Sequence, residues 1–145
     1  MKNIFLVEDD ADDRMFFEDA LREVSIPAQL TLSNNGVELM SNLAVLKTYP
    51  PPDVIFLDLN MTLKNGHECL KEIRESPKMK DIPIVIFSTS GNKNTVDETY
   101  EQGANYYIRK PSSFALLVKA IETVLALDMW HTSKPDKEDF FLTIT

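Results

Sequence analysis

Val54-Ile55-Phe56-Leu57-Asp58-Leu59-Asn60 opens with an apolar run, residues 54–57, too short for a helix and ended by the carboxylate of Asp58. A run of this length, rich in Ile, Val and Phe, reads as a strand buried on both faces of a parallel sheet. Two further stretches share the pattern, residues 4–7 and residues 82–87, the second broken only by Pro83. Weaker strand signals lie at residues 28–32 and 105–108.

Helical patterns alternate with these runs. Phe17, Ala20, Leu21 and Val24 recur at helical spacing after an acidic start, and Leu39, Met40, Leu43 and Leu46 follow Asn34-Asn35-Gly36. Cys69, Leu70 and Ile73 mark a third helix. Phe114, Leu117, Val118, Ile121, Val124 and Leu125 form the strongest apolar stripe, with Ser112 or Ser113 available as its cap. Residues 94–102 offer only Val96 and Tyr100 as anchors before Gly103, which predicts a helix held less tightly than its neighbours.

The order is therefore five βα repeats, an α/β fold with a parallel sheet, helices on both faces and right-handed crossovers. Pro50-Pro51-Pro52 reads as a stiff connector into the third strand. The pattern assigns residues 1–128 to one domain and 129–145 to a C-terminal tail. Residues 133–139 resemble an acidic spacer. The final Phe140-Phe141-Leu142-Thr143-Ile144-Thr145 is apolar and β-prone, suited to docking on its own domain, pairing with a sheet edge or awaiting a partner.

With 15 basic and 23 acidic side chains the net charge is −8, which argues against a nucleic-acid surface and suits a cation or a basic partner. Cys69 is the single cysteine, so no internal disulfide forms and a reducing compartment is expected. No apolar run approaches the roughly 20 residues of a membrane helix. Acidic residues follow the first strand at once, against a signal peptide. The expectation is a cytoplasmic protein with no membrane and no nucleic-acid partner.

In an open parallel sheet, ligands gather beyond the carboxyl ends of the strands. Those ends carry Glu8, Asp9 and Asp10 after the first strand and Asp58 after the third. Ser88-Thr89-Ser90 follow the fourth and Arg109-Lys110-Pro111 the fifth. Clustered carboxylates repel one another unless a cation compensates, and a hard ion such as Mg²⁺ suits oxygen ligands. Asp9 and Asp58 are the candidate direct ligands, with Glu8 acting through water. Lys110 would balance a carboxylate and later hold an anion as a point charge. The Ser88 hydroxyl would donate to the same anion. These are parts for phosphoryl transfer with Asp58 as the nucleophile. Asp10, Asp12 and Asp13 have a plainer reading, because negative charge is favoured at a helix start.

Several of these pieces match one family in order. They are Leu6-Val7-Glu8-Asp9-Asp10, Phe56-Leu57-Asp58-Leu59-Asn60-Met61 with Gly66 eight residues after Asp58, Ile84-Val85-Ile86-Phe87-Ser88, and Gly103-Ala104-Asn105-Tyr106-Tyr107-Ile108-Arg109-Lys110-Pro111. From about Lys2 to Leu127 the chain resembles bacterial response-regulator receiver domains. The resemblance implies a flavodoxin-like fold with strand order 2-1-3-4-5. It implies Asp58 as acceptor of a phosphoryl group from a sensor histidine kinase, and a Mg²⁺ site of Glu8, Asp9, Asp58 and the Asn60 backbone carbonyl. Ser88 and Lys110 would hold the phosphoryl oxygens. Tyr107 would be the switch aromatic, turning inward as the Ser88 hydroxyl moves toward phosphate; its plainer reading is a half-buried amphipathic tyrosine.

The family usually has proline four residues after the acceptor, where this chain has Thr62. The style resembles single-domain receivers paired with phytochrome-type kinases, with a downstream protein target and homodimerisation through the last helix and fifth strand. Such a chain is no enzyme beyond its own phosphorylation and slow dephosphorylation. Rival readings are a dehalogenase-type phosphatase, which would want an acid where Asn60 stands, and a nucleotide-binding module, which would want a glycine-rich loop. A third rival is a receiver-like scaffold that binds partners without phosphorylation. His67 and His131 are isolated and read as surface residues.

Overall fold

The structure, a computed structural model, describes residues 1–45 and 51–145. Leu46, expected in the second helical stripe, and Pro50 of the proline connector lie outside the described residues. The chain runs β1 (Lys2–Val7), α1 (Ala11–Glu23), β2 (Ala28–Ser33), α2 (Gly36–Ala44), β3 (Val54–Leu57) and α3 (Gly66–Glu75). It continues through β4 (Ile84–Ser88), α4 (Lys93–Glu101), β5 (Tyr106–Arg109), α5 (Phe114–Leu125) and a short α6 (Lys137–Phe140). All strand pairs are parallel, in the order β2-β1-β3-β4-β5. This is the doubly wound (βα)5 arrangement expected from the alternation of elements.

Successive strand residues face opposite sides of a sheet, and here both sides are covered. Phe5, Val7, Ile55, Leu57, Ile84, Ile86 and Tyr107 pack with Leu39, Leu43, Leu70 and Ile73 of α2 and α3. Ile4, Leu6, Val54, Phe56, Val85, Phe87 and Ile108 pack with Phe17, Ala20, Leu117, Ile121 and Val124 of α1 and α5. Double coverage explains why these runs are apolar without alternation. Phe17, Phe56 and Phe87 meet edge-on, with ring centroids 5.1–6.0 Å apart, an arrangement that aromatic quadrupoles favour.

At three places the structure corrects or narrows the sequence reading. The fourth strand begins at Ile84 rather than Ile82, because Pro83 has no N–H and contributes only its carbonyl, which accepts from Ile55 N at 2.9 Å. Ser113, not Ser112, caps α5, accepting from Leu116 N at 3.3 Å. Phe114, counted in the apolar stripe, is 39% exposed and meets Phe16 edge-on across the α1–α5 contact. Gly103 does end the fourth helix, at φ 99°, a conformation that glycine adopts without strain.

α4 buries Thr99 alone, with Val96 and Tyr100 half-buried, as its sparse anchors predicted. The tail supplies what the helix lacks. Phe140 is fully buried, edge-on to Tyr100 and Tyr107. Leu142 N donates to Tyr107 O at 2.9 Å, and a parallel bridge joins Tyr107 with Phe141. Of the three fates open to the tail, docking on the domain and pairing with the β5 edge are both realised. Residues 133–139 are less of a spacer than their composition suggested, since Lys137 pairs with Asp97 at 3.6 Å.

Candidate functional site

The crossovers bring the carboxyl ends of β1, β3, β4 and β5 to one edge. Glu8 follows β1 directly and is buried, with its amide bonded to Ser33 O at 3.1 Å. Asp58 follows β3, 5% exposed, held by Asp58 N to Val7 O at 3.3 Å. Ser88 is the last residue of β4 and fully buried. Lys110 follows β5, tied to β4 through Lys110 N to Ser88 O at 2.8 Å. Asp9 is exposed at the rim.

One carboxylate oxygen each from Glu8, Asp9 and Asp58 lies within 4.8 Å of the other two. Lys110 Nζ bonds Glu8 Oε1 and lies 3.2 Å from Asp58 Oδ2. The other Asp58 oxygen, Oδ1, accepts from Asn60 N at 3.2 Å, which holds the backbone of Asn60 against the cluster.

Burial, with the nearby Asp58 charge adding to it, raises the Glu8 carboxyl from 4.5 to about 7 even though the Lys110 hydrogen bond opposes the shift. Burial disfavours the Lys110 charge, but the hydrogen bonds and charges of Glu8 and Asp58 outweigh it and raise its pKa. Three carboxylates around one ammonium leave a net negative, all-oxygen pocket. That donor set fits a hard divalent cation.

Two residues here were not expected at the site. Asp13, read as a helix-start charge, reaches Lys110 with Oδ2 at 3.5 Å. Arg14 donates from its guanidinium to Glu8 O at 2.8 Å. Both lie in the first turns of α1, which starts beside the cluster, so their nearness to Glu8 in sequence was the available signal. Asp10 does cap α1, accepting from Asp13 N at 3.0 Å.

Gly66 permits the loop after β3 to close. A Cβ there would meet Asp58 O and, at 2.7 Å, Leu59 Cα. Tyr107 is not half-buried: it is fully enclosed, and its hydroxyl donates to Ser90 O at 2.6 Å. His67 and His131 stand apart from the cluster, bonded to Gln102 and Asp128. Among the described residues no helix is long and apolar enough to cross a membrane.

The family model for the response regulator receiver domain matches residues 4–122. Response regulator Rcp1 of Synechocystis sp. is 34% identical over 126 residues, covering 85% of this chain and 86% of its own length. A crystal structure of Mn(2+)-bound Rcp1 aligns with a TM-score of 0.77 at 31% identity, covering 94% of this chain and 100% of that one. The phosphorylated cyanobacterial phytochrome response regulator RcpA aligns with a TM-score of 0.79 at 32% identity, covering 93% and 99%.

Proposed function

The chain belongs to the response regulator receiver domain family, and on that premise we propose that Asp58 is its phosphoacceptor, loaded by a sensor histidine kinase. It is a response regulator of phosphorylation-dependent two-component signalling, not an enzyme that turns over a separate substrate. The observation that carries the assignment is Lys110 joining Glu8 and Asp58 in a cluster completed by Asp9. A scaffold that never handled phosphate would have no use for that assembly.

Each residue then has a task. An Asp58 carboxylate oxygen forms the new bond to phosphorus while the donor's P–N bond breaks and the imidazole keeps the electron pair. Lys110, already in place, holds a phosphoryl oxygen as Asp58 gives up its own carboxylate charge in the mixed-anhydride (acyl phosphate) linkage. Ser88 Oγ accepts from Ser90 N at 3.3 Å, which leaves its hydroxyl hydrogen to donate to another phosphoryl oxygen. Glu8, Asp9, Asp58 and the Asn60 carbonyl would hold Mg²⁺, which when bound neutralises the charge of the transferring group. Tyr107 would be the switch residue. Residues 1–128 form the receiver domain in this reading and 129–145 its tail.

The resemblance to the phytochrome response regulator RcpA supports a phytochrome-type kinase as donor; in this reading the chain works in the cytoplasm and passes the signal to a downstream protein. A homodimer through α5 and β5 would have to accommodate the Phe141–Leu142 pairing on the β5 edge. The decisive test is incubation with Mg²⁺ and a small phosphodonor, read by intact mass, with beryllofluoride binding in parallel. Wild type acquires one phosphoryl group and Asp58→Asn none. Absence of modification in wild type, or equal modification in the variant, removes the assignment.

A further inference from the structure

The tail lies across the face made by α4 and β5 and reaches α5. Lys134 Nζ sits 3.7 Å from the centroid of the Tyr100 ring and bonds Tyr100 O, while Tyr100 Oη donates to Pro135 O at 3.0 Å. Phe140 fills the space between Tyr100 and Tyr107. Phe141 stacks on Tyr107 with centroids 5.6 Å apart. Beyond the Leu142 pairing, Ile144 packs on the α1–α5 side and Lys119 bonds Thr145 O. The segment therefore grips two tyrosines, Tyr100 of α4 and Tyr107 of β5, each by ring and backbone together.

Tyr107 also connects to the phosphoryl site. Its hydroxyl holds Ser90 O, Ser90 N holds Ser88 Oγ, and Ser88 is the hydroxyl assigned to the phosphoryl group. Were the ring to swing outward, it would lose the Ser90 bond and the Phe140 and Phe141 contacts at once. Whatever stabilises the buried ring thus also stabilises the 88–90 turn that presents Ser88.

We propose that residues 134–144 are an intramolecular strap that clamps Tyr107 in its buried position, so that strap docking and anion binding at Asp58 strengthen each other. The inference rests on Asp58 being the acceptor. Two sites that bias one element are coupled reciprocally, and such couplings commonly amount to about fivefold or more in affinity.

The test uses the full chain with beryllofluoride and Mg²⁺. Phe140→Ala removes the buried wedge. Leu142→Pro removes the N–H that holds Tyr107 O and leaves the core residue in place; Phe141, at φ −82° and ψ 108°, already has the extended backbone that a following proline requires. Both variants bind beryllofluoride about fivefold or more weakly than wild type. In wild type, beryllofluoride slows hydrogen exchange at the Leu142 amide, which a purely structural tail would not show. Unchanged affinity in Leu142→Pro together with unchanged exchange in wild type overturns the strap, even if Phe140→Ala fails to fold. Wild type that binds no beryllofluoride overturns the Asp58 assignment itself, a result distinguishable from binding without coupling.

Discussion

Glu8 is 2% exposed, beside Asp58, and the cost of its charge is offset by Lys110 and by the Asp10 N–H, which donates to Glu8 Oε2 at 3.2 Å. Its carboxyl titrates near 7 in the folded chain against 4.5 when unfolded, through burial first and the Asp58 charge second, with Lys110 opposing. The folded state therefore binds the proton more tightly between these values. Stability from this group is complete below about 4.5 and is lost as the pH rises through about 7. Thermal midpoints of the metal-free protein, recorded with a chelator across this window, should carry a falling component that disappears in Glu8→Gln. The reverse slope, or one unaffected by the substitution, would contradict the electrostatic account. Protons and divalent cations compete for the same oxygens, so cation affinity should rise over the same interval.

Among the elements, α3 bears most directly on the acceptor. A capping box fixes its start: Asn65 accepts from Glu68 N at 3.0 Å, and Glu68 accepts from Asn65 N at 3.1 Å. The loop before it contains Leu63 at φ 67°, a left-handed conformation, three residues before the close approach of Gly66 to Asp58. That approach is backbone on backbone, so no side chain can swing aside. Gly66→Ala should destabilise the fold by about 1–3 kcal/mol, as overpacking does, and slow phosphorylation by displacing Asp58. Denaturant melts and phosphodonor labelling read the two effects separately. α4 is the contrasting case, since its own buried content is slight and the tail holds its outer side.

At the scale of the whole molecule, the site exists because four strand ends converge. Lys110 and Glu8 are 102 residues apart in sequence yet bonded, and Lys110 also closes on Asp58. Removing one partner of a buried ionic cluster costs about 3–5 kcal/mol, because the remaining charges are left without compensation. Lys110→Met should lower stability by that order in the presence of a chelator. Mg²⁺ should restore part of the loss by replacing the missing positive charge. Guanidinium melts with and without Mg²⁺ decide this, and a variant as stable as wild type without metal would refute the balancing role of Lys110.

Much of this molecule was legible in the order of its residues. Short unbroken apolar runs announced strands covered on both faces. The residues just beyond them, Glu8, Asp9, Asp58, Ser88 and Lys110, declared a common edge once the strands were taken as parallel. Such signals are local, because burial on an element's own face is written into its periodicity. Other features depended on contacts with no local trace. Asp10 and Asp13 share one helix start and one charge, yet one caps α1 and the other faces Lys110. Tyr107 is enclosed because Phe140, 33 positions later, fills the space beside it. The apolar tail could have paired with any open edge. Only the tertiary structure selected β5, because that strand's free backbone lies within reach of a segment leaving α5.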